Sequence, residues 1–233
     1  MKKLLALVAV MAAFGAQANE KLVVGATPVP HAEILEFVKP ELAKEGVDLQ
    51  IKVFNDFIQP NQQLALKNID ANYYQYRPFL DEYNKERHTD LVPVVGVHIE
   101  PFGAYSTKIK NIAELKDGAS VAIPNDPVNA GRALVLLEEA KLITLKEPGN
   151  PQSTTRDIVT NPKHLKIREL EGAMLARSVS QVDLAFVFAN YALEAGIDTN
   201  SALIVEKGKD LYVEYLVARP DNINDPRIQK LAK

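Results

Sequence analysis

Segments patterned as strands alternate with segments patterned as helices along nearly the whole chain, and this alternation limits the fold more than any other feature. Residues 21–26 (KLVVGA) read as a short buried strand, 32–45 as an amphipathic helix and 48–54 (DLQIKVF) as an alternating strand. A helix over 61–68 and a short strand over 69–74 that runs into a loop come next. The spacing then predicts a helix over 78–87, with Pro78 tolerated in its first turn, and strands over 91–97 and 103–106. After Lys108 the pattern starts afresh, with a short helix at 111–116, a strand at 120–123 and a helix at 131–140. Strands at 166–169 and 182–188, a helix at 190–195 and a strand at 211–218 follow, the last leading into a helix from Asp225. Such alternation predicts an α/β protein whose mostly parallel sheets are flanked by helices. The restart predicts two lobes, over 19–107 and 108–207, with 208–233 returning to the first and extended crossings near 105–109 and 205–210. Residues 227–233 (RIQKLAK) open an amphipathic helix with no stop signal, so a chain cut short at its C-terminus is expected.

The first 18 residues stand apart from this pattern. Lys2 and Lys3 precede an apolar run over 4–14, and Ala16-Gln17-Ala18 supplies a small-x-small cleavage site. That is the pattern of a cleavable signal peptide, and the run is shorter than the ~20 residues that span a bilayer. Cleavage after Ala18 removes two lysines and no acid, which takes the formal net charge of the 233-residue chain from −3 to −5. An acidic chain without a basic block does not suit nucleic acid. Cysteine is absent, which excludes disulfides, thiol chemistry and Cys-ligated metal. Four histidines, His31, His88, His98 and His164, lie far apart, and none has the spacing of a helical zinc motif, so no metal is expected. An exported, two-lobed α/β chain with a cleft at its hinge has the usual build of a solute receptor.

Two local signals bear on chemistry. In 121–134 (VAIPNDPVNAGRAL) a strand ends at Pro124, a turn of Asn125, Asp126 and Pro127 follows, and a helix is expected to begin near Gly131. Backbone N–H groups at such a helix start favour an anion, and Arg132, placed in a first turn where the helix dipole disfavours a cation, points to a bidentate carboxylate. A capped helix with a solvated arginine is the plain alternative. The second signal is aromatic: Phe54, Phe57, Tyr73, Tyr74, Tyr76 and Phe79 crowd into strand ends and loops, where open α/β sheets bind ligands. They suit the wall of a pocket for an apolar or thioether side chain, or else core and inter-lobe packing. His31 and His98 read as structural histidines. Ser106 and Ser178 lack a glycine elbow, and nothing assembles a nucleophile with its base, so no catalytic residue is expected.

FNDF-x-x-PN, DANYYQYRPFLDEYN, PNDPVNAGRAL and VARPDN together resemble the methionine-binding lipoprotein family (MetQ/NlpA type), the solute receptors of bacterial methionine ABC importers. The resemblance runs from about Lys21 to Lys233. It implies a type II periplasmic-binding-protein fold, capture of methionine or a related amino acid between the lobes, and a membrane partner, the permease with its cytoplasmic ATPase. It implies transport rather than catalysis, and no cofactor. The family's carboxylate-binding arginine falls on Arg132 and its aromatic cage on Phe57, Tyr74 and Phe79. Its NxFQHxPYL pattern reads NYYQYRPFL, which puts Tyr76 where a histidine is usual. Its INTNYA reads VFANYA, so Phe188 replaces an asparagine while Asn190 keeps the second position. Glu214 stands for the asparagine of its YVN strand. Without a lipobox cysteine, the receptor is expected to be free in the periplasm rather than lipid-anchored. A receptor for another amine- and carboxylate-bearing ligand, a two-lobed enzyme and an interaction protein with a degenerate cleft are the other readings.

Overall fold

The computed structural model describes residues 19–207 and 210–233, so the signal-peptide reading lies outside the described residues. The chain folds around two five-stranded sheets. The first contains β1 (Glu20–Ala26), β2 (Val47–Val53), β3 (Ala71–Tyr76), β4 (Val92–Ile99) and β12 (Val213–Ala218), in the order β2-β1-β3-β12-β4. The second contains β5 (Phe102–Tyr105), β6 (Ser120–Pro124), β9 (Lys166–Leu170), β10 (Leu184–Phe188) and β11 (Ile204–Val205), in the order β11-β5-β10-β6-β9. A short antiparallel pair, β7 (Thr144–Leu145) and β8 (Ile158–Thr160), lies apart from both.

The two sheets share one plan. Each has three parallel strands, β2-β1-β3 or β9-β6-β10, then an antiparallel strand and an edge strand. The antiparallel strand is on loan in both cases. Edge strand β4 passes through Glu100 and Pro101 straight into β5 of the second sheet, and edge strand β11 leads back to β12 of the first. The passage expected near 105–109 therefore falls at 100–101, because 102–105 pair with β10.

Helices cover the sheets: α1 (Glu33–Lys44), α2 (Gln59–Ala65), α3 (Arg77–Arg87), α4 (Pro127–Glu139), α5 (Gly172–Ser178), α6 (Ala189–Glu194) and α7 (Pro226–Leu231). Strand β3 runs two residues beyond the expected 69–74, and all six of its side chains are buried. A strand covered on both faces shows no polar alternation, which is why its end could not be read. Helix α4 begins four residues earlier than expected, with Pro127 in its first turn and Asp126 as its cap, accepting from the Asn129 N–H at 2.9 Å. Helix α5 was not anticipated: GAMLARS opens on glycine and is too short to display a period.

Helix α4 is the core element of the second half, with every residue from Asn129 to Leu137 buried. Gly131 is what allows this depth. A Cβ there would sit 1.9 Å from the carbonyl oxygen of Pro151, so only a bare backbone fits between α4 and the loop at 150–153. Gly131→Ala is expected to destabilise the fold by ~1–3 kcal/mol, the cost of overpacking against backbone. Urea unfolding followed by circular dichroism checks this, and an unchanged midpoint would show that the loop yields freely.

Candidate functional site

All eight residues singled out in the sequence line one cavity. Phe57 comes from the loop before α2, Tyr74 and Tyr76 from β3, Phe79 from α3, Arg132 from α4, Phe188 from the end of β10, Asn190 from α6 and Glu214 from β12. Gln75, Glu100, Pro101, Phe102 and Asn129 complete the lining of a space of about 400 Å³. The cavity thus lies between elements of the two sheets, beside the 100–101 passage.

The aromatic side is built around Phe57. Its ring centroid lies 5.1 Å from Phe188 and 6.0 Å and 6.2 Å from Tyr74 and Phe79, in tilted and edge-on arrangements that aromatic rings favour. The Tyr74 hydroxyl donates to the Phe57 carbonyl at 2.9 Å, which ties the loop at 57 to β3. Phe188 stacks on Phe102 at 4.9 Å and so gives the cavity an apolar wall continuous with the core of the second sheet. Phe54 and Tyr73 are instead core residues, Phe54 packing with Ile69 and Leu80, and Tyr73 with the β1 and β12 side chains. Tyr76 donates to Asn129 Oδ1, and so links β3 to α4 across the cavity.

Arg132 is 4% exposed, in the second turn of α4 rather than the first, so the dipole argument does not apply to it. Nor is the helix start open to an anion, since the Asp126 carboxylate already occupies it. What holds the arginine is Glu206, 7% exposed, which accepts from Nε at 2.9 Å and from Nη2 at 2.5 Å. The guanidinium carbon lies 3.9 Å from the Tyr212 ring centroid, 4.8 Å from Phe102 and 5.1 Å from Tyr76, an aromatic cage around a cation. Burial opposes its charge, but the Glu206 hydrogen bonds, with Tyr76, outweigh that and raise its pKa further. Glu206 uses one edge of the fork. The other edge, Nη1 with the second Nη2 proton, has no hydrogen-bond partner among the described residues.

The opposite charge is unbalanced. Glu214 is buried, and its Oε2 has no partner among the described residues; Asn190 Oδ1 is in the same condition. Neither Arg77, paired with Asp81 at 2.7 Å, nor Arg132 answers Glu214. Burial first, then the charge of Glu100, pushes the Glu214 carboxyl well above the usual carboxylate range, with Arg132 opposing. Two unpartnered acceptors in one cavity call for a donor from outside the protein.

Sequence reasoning missed Glu206, Glu100, Phe102, Gln75 and Asn129. Glu206 is 74 positions from its partner, and no local pattern announces such a contact. Asn129 carried a signal, since it stands inside the PNDPVNAGR motif.

Comparison with known proteins decides the family. The model of the NlpA lipoprotein family matches residues 22–233. The chain belongs to that family. It is 41% identical over 205 residues to the D-methionine-binding lipoprotein MetQ of Salmonella typhi, covering 87% of this chain and 75% of the relative. Among solved structures it resembles a nutrient binding protein from Burkholderia cenocepacia bound to methionine, with a TM-score of 0.87, 38% identity and 91% and 90% of the two chains covered. An ABC transporter periplasmic substrate-binding protein from Coxiella burnetii matches with a TM-score of 0.86, 39% identity and the same coverage. The two-sheet α/β build is that of these NlpA-family neighbours. One expectation is corrected: relatives in this family are named lipoproteins, which overturns the reading of a receptor free of any lipid anchor.

Proposed function

We propose that this NlpA-family protein is the solute-binding component of an ABC importer, capturing methionine or a related amino acid in the cavity and passing it to a permease with a cytoplasmic ATPase. The observation that carries the reading is the order of groups along the cavity. A free guanidinium edge on Arg132 suits a carboxylate, the unpartnered oxygens of Glu214 and Asn190 suit an ammonium, and Phe57, Tyr74, Phe79 and Phe188 supply a wall for an apolar or thioether side chain. Tyr76 orients the wall through Asn129. Relatives whose names and titles mention methionine support the ligand class. In this reading one lobe is built on the sheet of β1–β4 and β12, the other on the sheet of β5, β6 and β9–β11, and ligand bridges them.

The role is capture and release rather than turnover. The lining holds no serine, threonine, cysteine, lysine or histidine to act as nucleophile, and its glutamates are assigned to the ligand's ammonium end. Titration calorimetry with L- and D-methionine, followed by mass spectrometry of the recovered ligand, tests the proposal. Saturable binding with one ligand per chain, recovered unchanged, is expected. Failure to bind any amino acid, or conversion of the bound one, overturns it.

A further inference from the structure

A second constellation lies beside the cavity, where β4 leaves the first sheet. His31 comes from the turn at Pro28–Ala32 that follows β1, and His98 and Glu100 from the end of β4 and the passage beyond it. His31 Nε2 lies 3.4 Å from Glu100 Oε1, and His98 Nε2 lies 3.2 Å from the same oxygen. One ligand atom from each of the three side chains falls within 4.8 Å of the others. A metal bound to nitrogen and oxygen at ~2.0–2.2 Å in tetrahedral geometry holds its ligand atoms roughly 3.3 Å apart. Two of the three separations already have that value.

The other face of each imidazole is tied down. His31 Nδ1 meets the Thr27 hydroxyl at 2.7 Å, and His98 Nδ1 meets the Tyr73 hydroxyl at 2.6 Å. Hydroxyls on both Nδ1 atoms orient both rings with Nε2 toward Glu100, the way outer partners orient metal-binding histidines. A self-sufficient structural network would also satisfy His31 Nε2. It does not: His31 is 1% exposed, and its Nε2 has no hydrogen-bond partner among the described residues. Glu100, 11% exposed at its side chain, also lines the ligand cavity, and His98 is 24% exposed, so the cluster has a way in. Glu214 sits across from His98 on the neighbouring strand β12, and brings a second carboxylate with an unpartnered oxygen to this end of the cavity.

We propose that His31, His98 and Glu100 form a binding site for a divalent transition-metal cation of the Zn²⁺ type, with its remaining coordination position toward the ligand cavity. Two imidazoles and a carboxylate are a donor set for such an ion rather than for Ca²⁺ or Mg²⁺, which take oxygen. His31 stands far in sequence from His98 and Glu100, so no local motif announces the three together.

The test is Zn²⁺ uptake by tag-free protein stripped with a chelator, titrated in competition with a chromophoric chelator, and Co²⁺ substitution read by visible absorption. One equivalent of Zn²⁺ and a Co²⁺ band are expected. His98→Gln, at a partly exposed position, should weaken Zn²⁺ binding at least ~10-fold, and Tyr73→Phe, which keeps every ligand, by about 10- to 100-fold, the usual effect of losing an outer partner. Circular dichroism confirms that each variant is folded. No stoichiometric uptake by the unaltered protein overturns the proposal whatever the variants do. So does a folded His98→Gln that binds Zn²⁺ as tightly as the parent.

Discussion

Arg132→Ala is expected to fail twice, in ligand binding and in stability. Removing the partner of a desolvated ligand carboxylate costs ~2–5 kcal/mol, which is a loss of affinity of roughly 30-fold or more. The same substitution strands Glu206, whose carboxylate is buried and paired with no other cation among the described residues. Breaking a buried pair from one side costs ~3–5 kcal/mol of folding stability. Two variants separate the effects. Arg132→Lys keeps the charge but loses the fork, so it should retain most of the stability and little of the binding. Arg132→Met with Glu206→Leu removes both charges, and should recover stability without recovering binding. Calorimetry and urea unfolding read the two quantities; a folded double variant with parental affinity would show that Arg132 serves the fold alone.

Glu214→Gln is expected to reverse the preference between an amino acid and its deaminated analogue. In the parent, burial and then the neighbouring Glu100 favour the protonated form of the carboxyl group, with Arg132 opposing. A ligand ammonium restores the charged form, and binding then releases a proton to the buffer. Calorimetric enthalpies measured in buffers of different ionisation enthalpy should reveal that release for the amino acid and not for the analogue. The glutamine variant should lose affinity for the amino acid by roughly 30-fold, as a desolvated charge pair commands. It should also release no proton. Equal affinity of the parent for both compounds would remove Glu214 from the ammonium's surroundings.

The legible part of the molecule was the part written locally. Helix α3 and strands β1, β2 and β6 declare themselves through apolar spacing and through Pro in the first helical turn, and their positions were read to within a residue or two. The site residues were legible for a different reason. Phe57, Tyr74, Tyr76, Phe79 and Arg132 stand in recognisable motifs, so resemblance located them, whereas aromatic density alone left Phe54 and Phe57 indistinguishable. Burial then separated those two, Phe54 into the core and Phe57 into the cavity wall. The start of α4 was misread because Gly131 looked like a beginning, when the helix starts four residues earlier at Pro127, capped by Asp126, and uses the glycine to admit the Pro151 loop. For the last strand the sequence predicts 211–218. The strand in fact starts at Val213, and a bulge follows Tyr215, so Tyr212 reaches Arg132 from a turn instead. Glu206 had no local signature at all.

The loan of one strand between the sheets bears on how the molecule is made. Strand β12 does not extend the first sheet at its rim; it is inserted between β3 and β4, which were synthesised well over a hundred positions earlier. Until residues 213–218 arrive, β3 and β4 each present an open hydrogen-bonding edge, the feature that invites pairing with a stranger. The first hundred residues therefore have a gap through the middle of their sheet that residues 213–218 fill. A chain of this design completes its first sheet only when residues 213–218 are available to pair, and until then it depends on whatever shields the two waiting edges.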